Sequence, residues 1–407
     1  MKKPLRGIVI RGARKHAERE AAVDLMSKIF VQGDYFTSRE NAAHLLKNEK
    51  RYIRVAVRNK EVVGHVGIWP VTVRVGEARL KTAGISGVCT RPDLRKNGLA
   101  TALMKDSIVT AQENGFHISM LFGIPDFYHN LGYAPCMDIS RIELDITPAL
   151  KLRSPLSVRN YRKSDLPALK ALYAEEAGRV VGMVDRKDAD WKRILNGRYT
   201  VRVATSRAGD LKGYYLRGPW QRKDDALWEI CSKPEISSYK ALTKDYGQYQ
   251  DENKRQRGTV FTPIDRPLGI FVRYLGSTVR LHQPQNGGSM VRIINLKTTM
   301  KAMLPEFNAR LKRSLIADET ASLAIETDMG SVSLAVVNGK ARIQKKASPG
   351  GPVARIPQSV LSSLLFGFFD TEYARLQKGV RMPGKSCALL EALFPVSRPY
   401  MSEPDHF

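Results

Sequence analysis

"VCTRPDLRKNGLATAL", residues 88–103, is the stretch that decides the fold. β-Branched and apolar residues stop at Thr90. A basic loop follows, with Arg91, Arg95 and Lys96, and then Gly98 opens a run of helical spacing. A strand that turns through a basic, glycine-containing loop into a helix presents the helix's first N–H groups at the strand's end. Those groups lack partners within the helix and carry partial positive charge, which suits phosphate. Arg95 and Lys96 add charge-assisted donors. The stretch is neither G-x-x-x-x-G-K-[ST] nor G-x-G-x-x-G. By itself it also fits a solvated basic loop capping an ordinary helix.

The flanks extend the same pattern. Residues 7–10 (GIVI) predict a strand, and 16–30 a helix with Ala21, Ala22, Leu25, Met26 and Ile29 on one side. Residues 52–59 alternate as a strand, and 61–75 supply two more, joined to it by a hairpin turn near Asn59. Residues 81–90 and 117–123 are further strands, on either side of a helix over 99–112. The order is that of an α/β (α+β) domain with a mixed sheet. The pattern breaks near residues 151–155 and restarts as strand and helix, with Ser164 or Asp165 as N-cap and Pro167 in the first turn. Residues 244–258 are expected as an exposed polar loop. A second break falls near residues 283–290. Beyond it lie a meander with an Asn338-Gly339 turn and a buried helix containing Leu361, Leu364, Leu365, Phe368 and Phe369.

The chain has 407 residues, 66 of them basic and 40 acidic, for a net charge of +26. At that length about two or three domains are expected. The basic excess is distributed along the chain. Such a field attracts polyanions, whether nucleic acid or a phosphate-bearing ligand. Cys89, Cys136, Cys231 and Cys387 are far apart, and neither C-x-x-C nor H-E-x-x-H occurs, so no disulfide framework and no metal are expected. "GIVI" is too short for a signal-peptide core, and no apolar run approaches a membrane span. A cytoplasmic location without membrane association is the expectation.

About thirty residues beyond the basic loop stands "FYHNLGY", Phe127 to Tyr133. Read alone, it is a turn with three packed aromatics. Together, Arg95-x-x-Gly98-x-Ala100 and Phe127-Tyr128-x-x-x-Gly132-Tyr133 resemble the acyl-CoA site of the GNAT acetyltransferase superfamily. The layout of nearly the whole chain resembles the Eis acetyltransferase family. That resemblance implies a catalytic GNAT domain over 1–152 and a degenerate GNAT-like domain over 153–286. It also implies a sterol-carrier-protein-like domain over 287–407, whose tail reaches the active site. The second domain lacks R-x-x-G-x-A, so one CoA site per chain is implied.

Acetyl-CoA is the implied donor. By position, Val88, Cys89 and Thr90 would face the pantetheine and acetyl carbonyl. Arg95, Lys96, Asn97, Gly98, Leu99, Ala100 and Thr101 would hold the pyrophosphate, and Gly123 and Ile124 would line the gap between strands. Tyr128 matches the family's general acid, and the C-terminal carboxylate, here that of Phe407, returns to the site. Acetyl transfer needs a polarised carbonyl, a neutral amine and a protonated leaving sulfur. A tyrosine is a competent donor, whereas an α-carboxylate is a weak base that can act by proximity. Asp405 and His406 are candidates to join the site, with an untethered tail the preferred reading for both, and Cys89 is read as a buried strand residue rather than a nucleophile.

The resulting expectation is transfer of acetyl to a primary amine, aminoglycoside-like or lysine-like, within a homohexamer. A positive field repels polycations at long range, so such acceptors call for local acidity; Asp34 and Asp126 are candidates. Two other readings stand beside it. The basic surface suits a nucleic-acid-binding protein, although no nucleic-acid-reading motif occurs. The C-terminal domain suits lipid or sterol binding by fold analogy alone.

Overall fold

In the computed structural model, the described residues are 5–30, 52–220, 224–317, 319–346 and 348–407. Asp34 lies outside them. Strands β1 (Ile8–Gly12), β2 (Tyr52–Arg58), β3 (Glu61–Val75) and β4 (Ala78–Thr90) form an antiparallel run. β2 and β3 meet in a two-residue turn, Asn59-Lys60, in which both residues have positive φ. That geometry matches the twist of the hairpin it closes. Residues 61–75, expected as two strands, form one. Helix α1 (His16–Phe30) packs on β3 and β4, and helix α2 (Leu99–Glu113) on β2, β3 and β4. β5 (Ile118–Gly123) then runs parallel to β4. β6 (Ala134–Met137) and β7 (Ile139–Asp145) follow.

Here the sheets cross the boundaries expected from the sequence. β7, inside 1–152, does not join the first sheet. It pairs with β12 (Arg257–Val260) and β13 (Ser277–His282) of the second. The vacant place between β5 and β6 is filled by β14 (Gly288–Ile293), from inside 287–407. The first sheet is thus ordered β1-β2-β3-β4-β5-β14-β6. The second contains β8 (Ser157–Asn160), β9 (Thr200–Thr205), β10 (Leu211–Trp220) and β11 (Asp224–Ser232), and is ordered β13-β7-β12-β11-β10-β9-β8. Read from β1 and from β8, the two have one pattern: three antiparallel pairs, one parallel pair, two antiparallel pairs. The duplication suggested by the restart after residue 155 is therefore a duplication of topology.

Residues 244–258 are largely helix, not loop: Ile236–Glu252 is one helix. Two of its polar residues there, Tyr246 and Gln250, face inward, while Gln248, Asp251 and Glu252 are exposed. Tyr246 is fully buried, and its hydroxyl lies 3.1 Å from the Asp225 carbonyl and 3.0 Å from that of Thr259. Gln250 donates to the same Asp225 carbonyl. At Tyr246 and Gln250 polarity satisfies buried backbone groups rather than marking exposure.

The third sheet, β17-β16-β15-β18, is built from Ala321–Thr327 (β15), Gly330–Val337 (β16), Lys340–Gln344 (β17) and Val353–Arg355 (β18). The Asn338-Gly339 turn between β16 and β17 has the expected positive φ at both residues. The long predicted helix is two, Gln358–Phe366 and Thr371–Arg375, parted at left-handed Gly367. Leu361, Leu364 and Leu365 are fully buried, in one core with Val291 and Ile293 of β14 and with Leu334 of β16. The C-terminal part and the first sheet therefore share a single apolar interior. No helix among the described residues is long and apolar enough to cross a membrane.

Candidate active site

The site begins where β4 and β5 part. They pair only over Thr82–Gly84 and Ile118–Met120. Beyond Gly84 the strands separate, and β4 shifts register against β3 between His65 and Gly67. Gly87 adopts φ +60 at this bulge, and its carbonyl accepts a 2.8 Å hydrogen bond from His65 Nδ1. A bulge re-aims the backbone that follows it, which here is Val88, Cys89 and Thr90. Val88 is half-buried, while Cys89 and Thr90 are buried. Burial pushes the Cys89 thiol up to about 12, so it is not a thiolate near neutral pH and is unsuited to nucleophilic attack.

The basic loop is open. Arg91 is held by Asp93 at 2.7 Å and Glu61 at 2.9 Å, which leaves Arg95 and Lys96 exposed. Lys96 and Gly98 both have positive φ, and Gly98 caps α2 without any side-chain hydrogen bond. Among the described residues nothing stands within 4 Å of a Cβ built on Gly98, so the glycine answers to conformation, not to crowding. Asn97, Ala100 and Thr101 are half-buried around the helix start. Leu99 is 1% exposed, so its side chain belongs to the core and only its backbone faces the loop. Uncapped N–H groups, left-handed loop residues and two exposed cations with no ion-pair partner among the described residues together fit a pyrophosphate.

On the other lip, Gly123 ends β5 and Ile124 is 66% exposed. A Cβ on Gly123 would lie 2.5 Å from the Tyr128 ring. Tyr128 starts the short turn Tyr128–Leu131, closed by left-handed Gly132. Its ring meets Phe127 and Tyr133 edge-on, at 4.8 and 6.2 Å. The Tyr133 hydroxyl is engaged by Ser119 at 2.7 Å; no hydrogen-bond partner of the Tyr128 hydroxyl occurs among the described residues. Burial pushes Tyr128 up to about 12, so it keeps its proton.

The chain's end arrives from the other side. The Phe407 ring lies against Gly84, and the His406 ring stacks on Phe122 at 3.8 Å. Phe122 and Gly123 point to opposite faces of β5. Tyr128 and Phe407 therefore approach the parting of β4 and β5 from opposite faces of the sheet. Asp405 and His406, read as untethered, are anchored. Asp405 is buried, and Arg186 Nε donates to it at 2.7 Å. Arg186, which holds it, and Glu229, which holds Arg186, were missed, because they lie 219 and 176 residues from Asp405 by numbering and no local pattern marks them. Asp126 is exposed, and Asn286 donates to it at 2.8 Å.

Residues 10–136 match the family model described as "Acetyltransferase (GNAT) domain". This part of the chain is a GNAT acetyltransferase domain. It starts within β1, contains β2 to β5, α2, Gly98 and Tyr128, and ends within β6. No curated protein matches the chain in sequence. Solved structures share the fold over its length. A probable N-acyltransferase from Enterococcus faecalis V583, a conserved protein of unknown function, has a TM-score of 0.78 at 17% identity, over 98% of this chain and 99% of that one. A GCN5-related N-acetyltransferase from Anabaena variabilis ATCC 29413 gives 0.76 at 19%, over 98% and 100%. Eis1 from Mycobacterium abscessus gives 0.68 at 16%, over 98% and 100%. The GNAT domain thus sits in a chain whose fold, with two like sheets and a third, follows these proteins throughout.

Proposed function

We propose that the chain transfers acetyl from acetyl-CoA to a primary amine, lysine-like or aminoglycoside-like, by direct attack in a ternary complex. One observation carries the reading: the backbone after the β4 bulge, Tyr128 and the chain terminus converge on one parting of strands in a GNAT domain. Acetyl-CoA supplies a thioester whose carbonyl carbon accepts the amine nitrogen. The new C–N bond forms as the C–S bond breaks, with one proton leaving nitrogen and one reaching sulfur. In this reading backbone N–H groups of residues 88–90 donate to the carbonyl oxygen. The Phe407 carboxylate orients the amine and receives its proton directly or through water. A free thiol has an ordinary pKa near 8.5, well below that of Tyr128, so Tyr128 acts mainly by donating a hydrogen bond to the departing sulfur. Lys96, Gly98 and the first turn of α2 hold the pyrophosphate.

The third sheet, sterol-carrier-like by resemblance, serves in this reading as a scaffold, because Leu361, Leu364 and Leu365 are consumed by packing. The homohexamer and the cytoplasmic location belong to the same proposal. The test is thiol release from acetyl-CoA over a panel of primary amines, with acetyl-CoA affinity measured separately. Saturable donor binding and amine-dependent release are expected. Absence of donor binding overturns the reading.

A further inference from the structure

The C-terminal tail is held by a charge cluster in the second domain, which no motif announces. Arg186 lies just before helix Asp188–Ile194, and its side chain is 0% exposed. It is forked. Nη1 and Nη2 donate to Glu229 at 2.9 and 2.5 Å, and Nε and Nη2 donate to Asp405 at 2.7 and 3.0 Å. The guanidinium also lies 3.7 Å from the Tyr173 ring centroid and 4.9 Å from that of Trp191. Tyr173 donates to Asp405 at 2.7 Å, and Tyr214 to Glu229 at 2.7 Å. Ser402, from the tail itself, donates to Glu229. One cation thus stands between two buried carboxylates, and three hydroxyls supply the remaining donors. A buried ionic cluster is a weak source of net stability, but its fixed geometry can specify one arrangement.

The arrangement it specifies is the reach of the terminus. Asp405 is two residues from Phe407, and two extended residues span at most about 7 Å. We infer that Arg186 is a positioning residue: by clamping Asp405 it sets the register of the tail and so delivers the Phe407 carboxylate to the parting of β4 and β5. This rests on the proposed acetyl transfer for its kinetic consequence, but not for the docking itself.

The test uses the full chain and has two arms. In the first, a carboxypeptidase selective for aromatic C-terminal residues is applied to wild type, Arg186→Met and Asp405→Asn. Phe407 should be released at least about tenfold faster from either variant, since clamping governs the open fraction of the tail. Equal release rates overturn the inference, whatever the reaction. Asp405→Asn keeps the side chain's shape and serves if Arg186→Met does not fold. In the second arm, turnover should fall about a hundredfold in Arg186→Met at unchanged acetyl-CoA affinity, as for a misplaced reacting group. Combined with deletion of Phe407, Arg186→Met should cause no further loss, because both act through one group. A full additional loss in the double variant overturns the positioning role. If wild type transfers no acetyl to any amine, the functional proposal fails while the release arm still decides the clamp.

Discussion

The ring of Phe407 fills the space that a side chain at Gly84 would need. A Cβ on Gly84 would stand 2.6 Å from Phe407 Cγ, and Gly84 is the last residue of β4 paired with β5. The glycine is therefore a seat for the chain terminus at the point where the strands part. Gly84→Val should leave the sheet intact, because valine suits a strand. It should lower turnover at least about tenfold by evicting the terminus. Steady-state kinetics beside circular dichroism checks this, and unimpaired turnover in a folded variant would place the terminus outside the reaction.

Tyr128→Phe should reduce turnover by about a hundredfold, the usual loss of one well-placed donor to developing charge. Acetyl-CoA affinity should be unchanged. The sign of the pH dependence follows from burial. The neutral phenol is favoured and its pKa is pushed up to about 12, so the donor stays protonated through the range where amines become neutral. The wild-type rate should rise with pH as the acceptor loses its proton, with no descending limb below about pH 11. A descending limb near pH 10 that disappears in Tyr128→Phe would contradict a buried donor.

Gly98→Val places a β-branched residue at φ +83, a conformation that costs an L-residue about 1–2 kcal/mol. The backbone should relax away from the left-handed turn and disturb the N–H groups at the start of α2. Acetyl-CoA should bind about tenfold more weakly, while turnover at saturating donor changes little. Titration calorimetry measures the first and kinetics the second. Undiminished affinity would remove this helix start from the donor site.

The strand exchange predicts how the chain comes apart. A fragment of residues 1–152 would lack β14, which separates β5 from β6, and would carry β7 without β12 or β13. Unpaired strand edges of this kind associate. The fragment should aggregate, and the whole chain should show one dominant cooperative unfolding transition. A monomeric, folded fragment that binds acetyl-CoA would show that the exchange is dispensable.

Local signals were legible where neighbouring residues carry the information. Asn59 and Asn338-Gly339 mark their hairpin turns because Asn and Gly tolerate positive φ. The strand, basic loop and helix over residues 88–103 were readable because caps and periodicity act over a few residues. The same rules misread the helix Ile236–Glu252, whose inward Tyr246 and Gln250 are polar yet buried. Periodicity cannot tell a polar side chain that satisfies a sheet's backbone from one that faces water.

The sequence by itself determined the mixed α/β class, the restart as strand and helix after residue 155 and the spacing of Gly98 and Tyr128. Each follows from chain-local geometry. Only the tertiary structure decided that β7 and β14 trade sheets, that Phe407 rests on Gly84 and that Asp405 is clamped by Arg186. These are pairings across 112 to 323 residues by numbering. Their energy comes from desolvation and hydrogen bonding between surfaces that meet only once the whole chain is packed, so no single stretch records them.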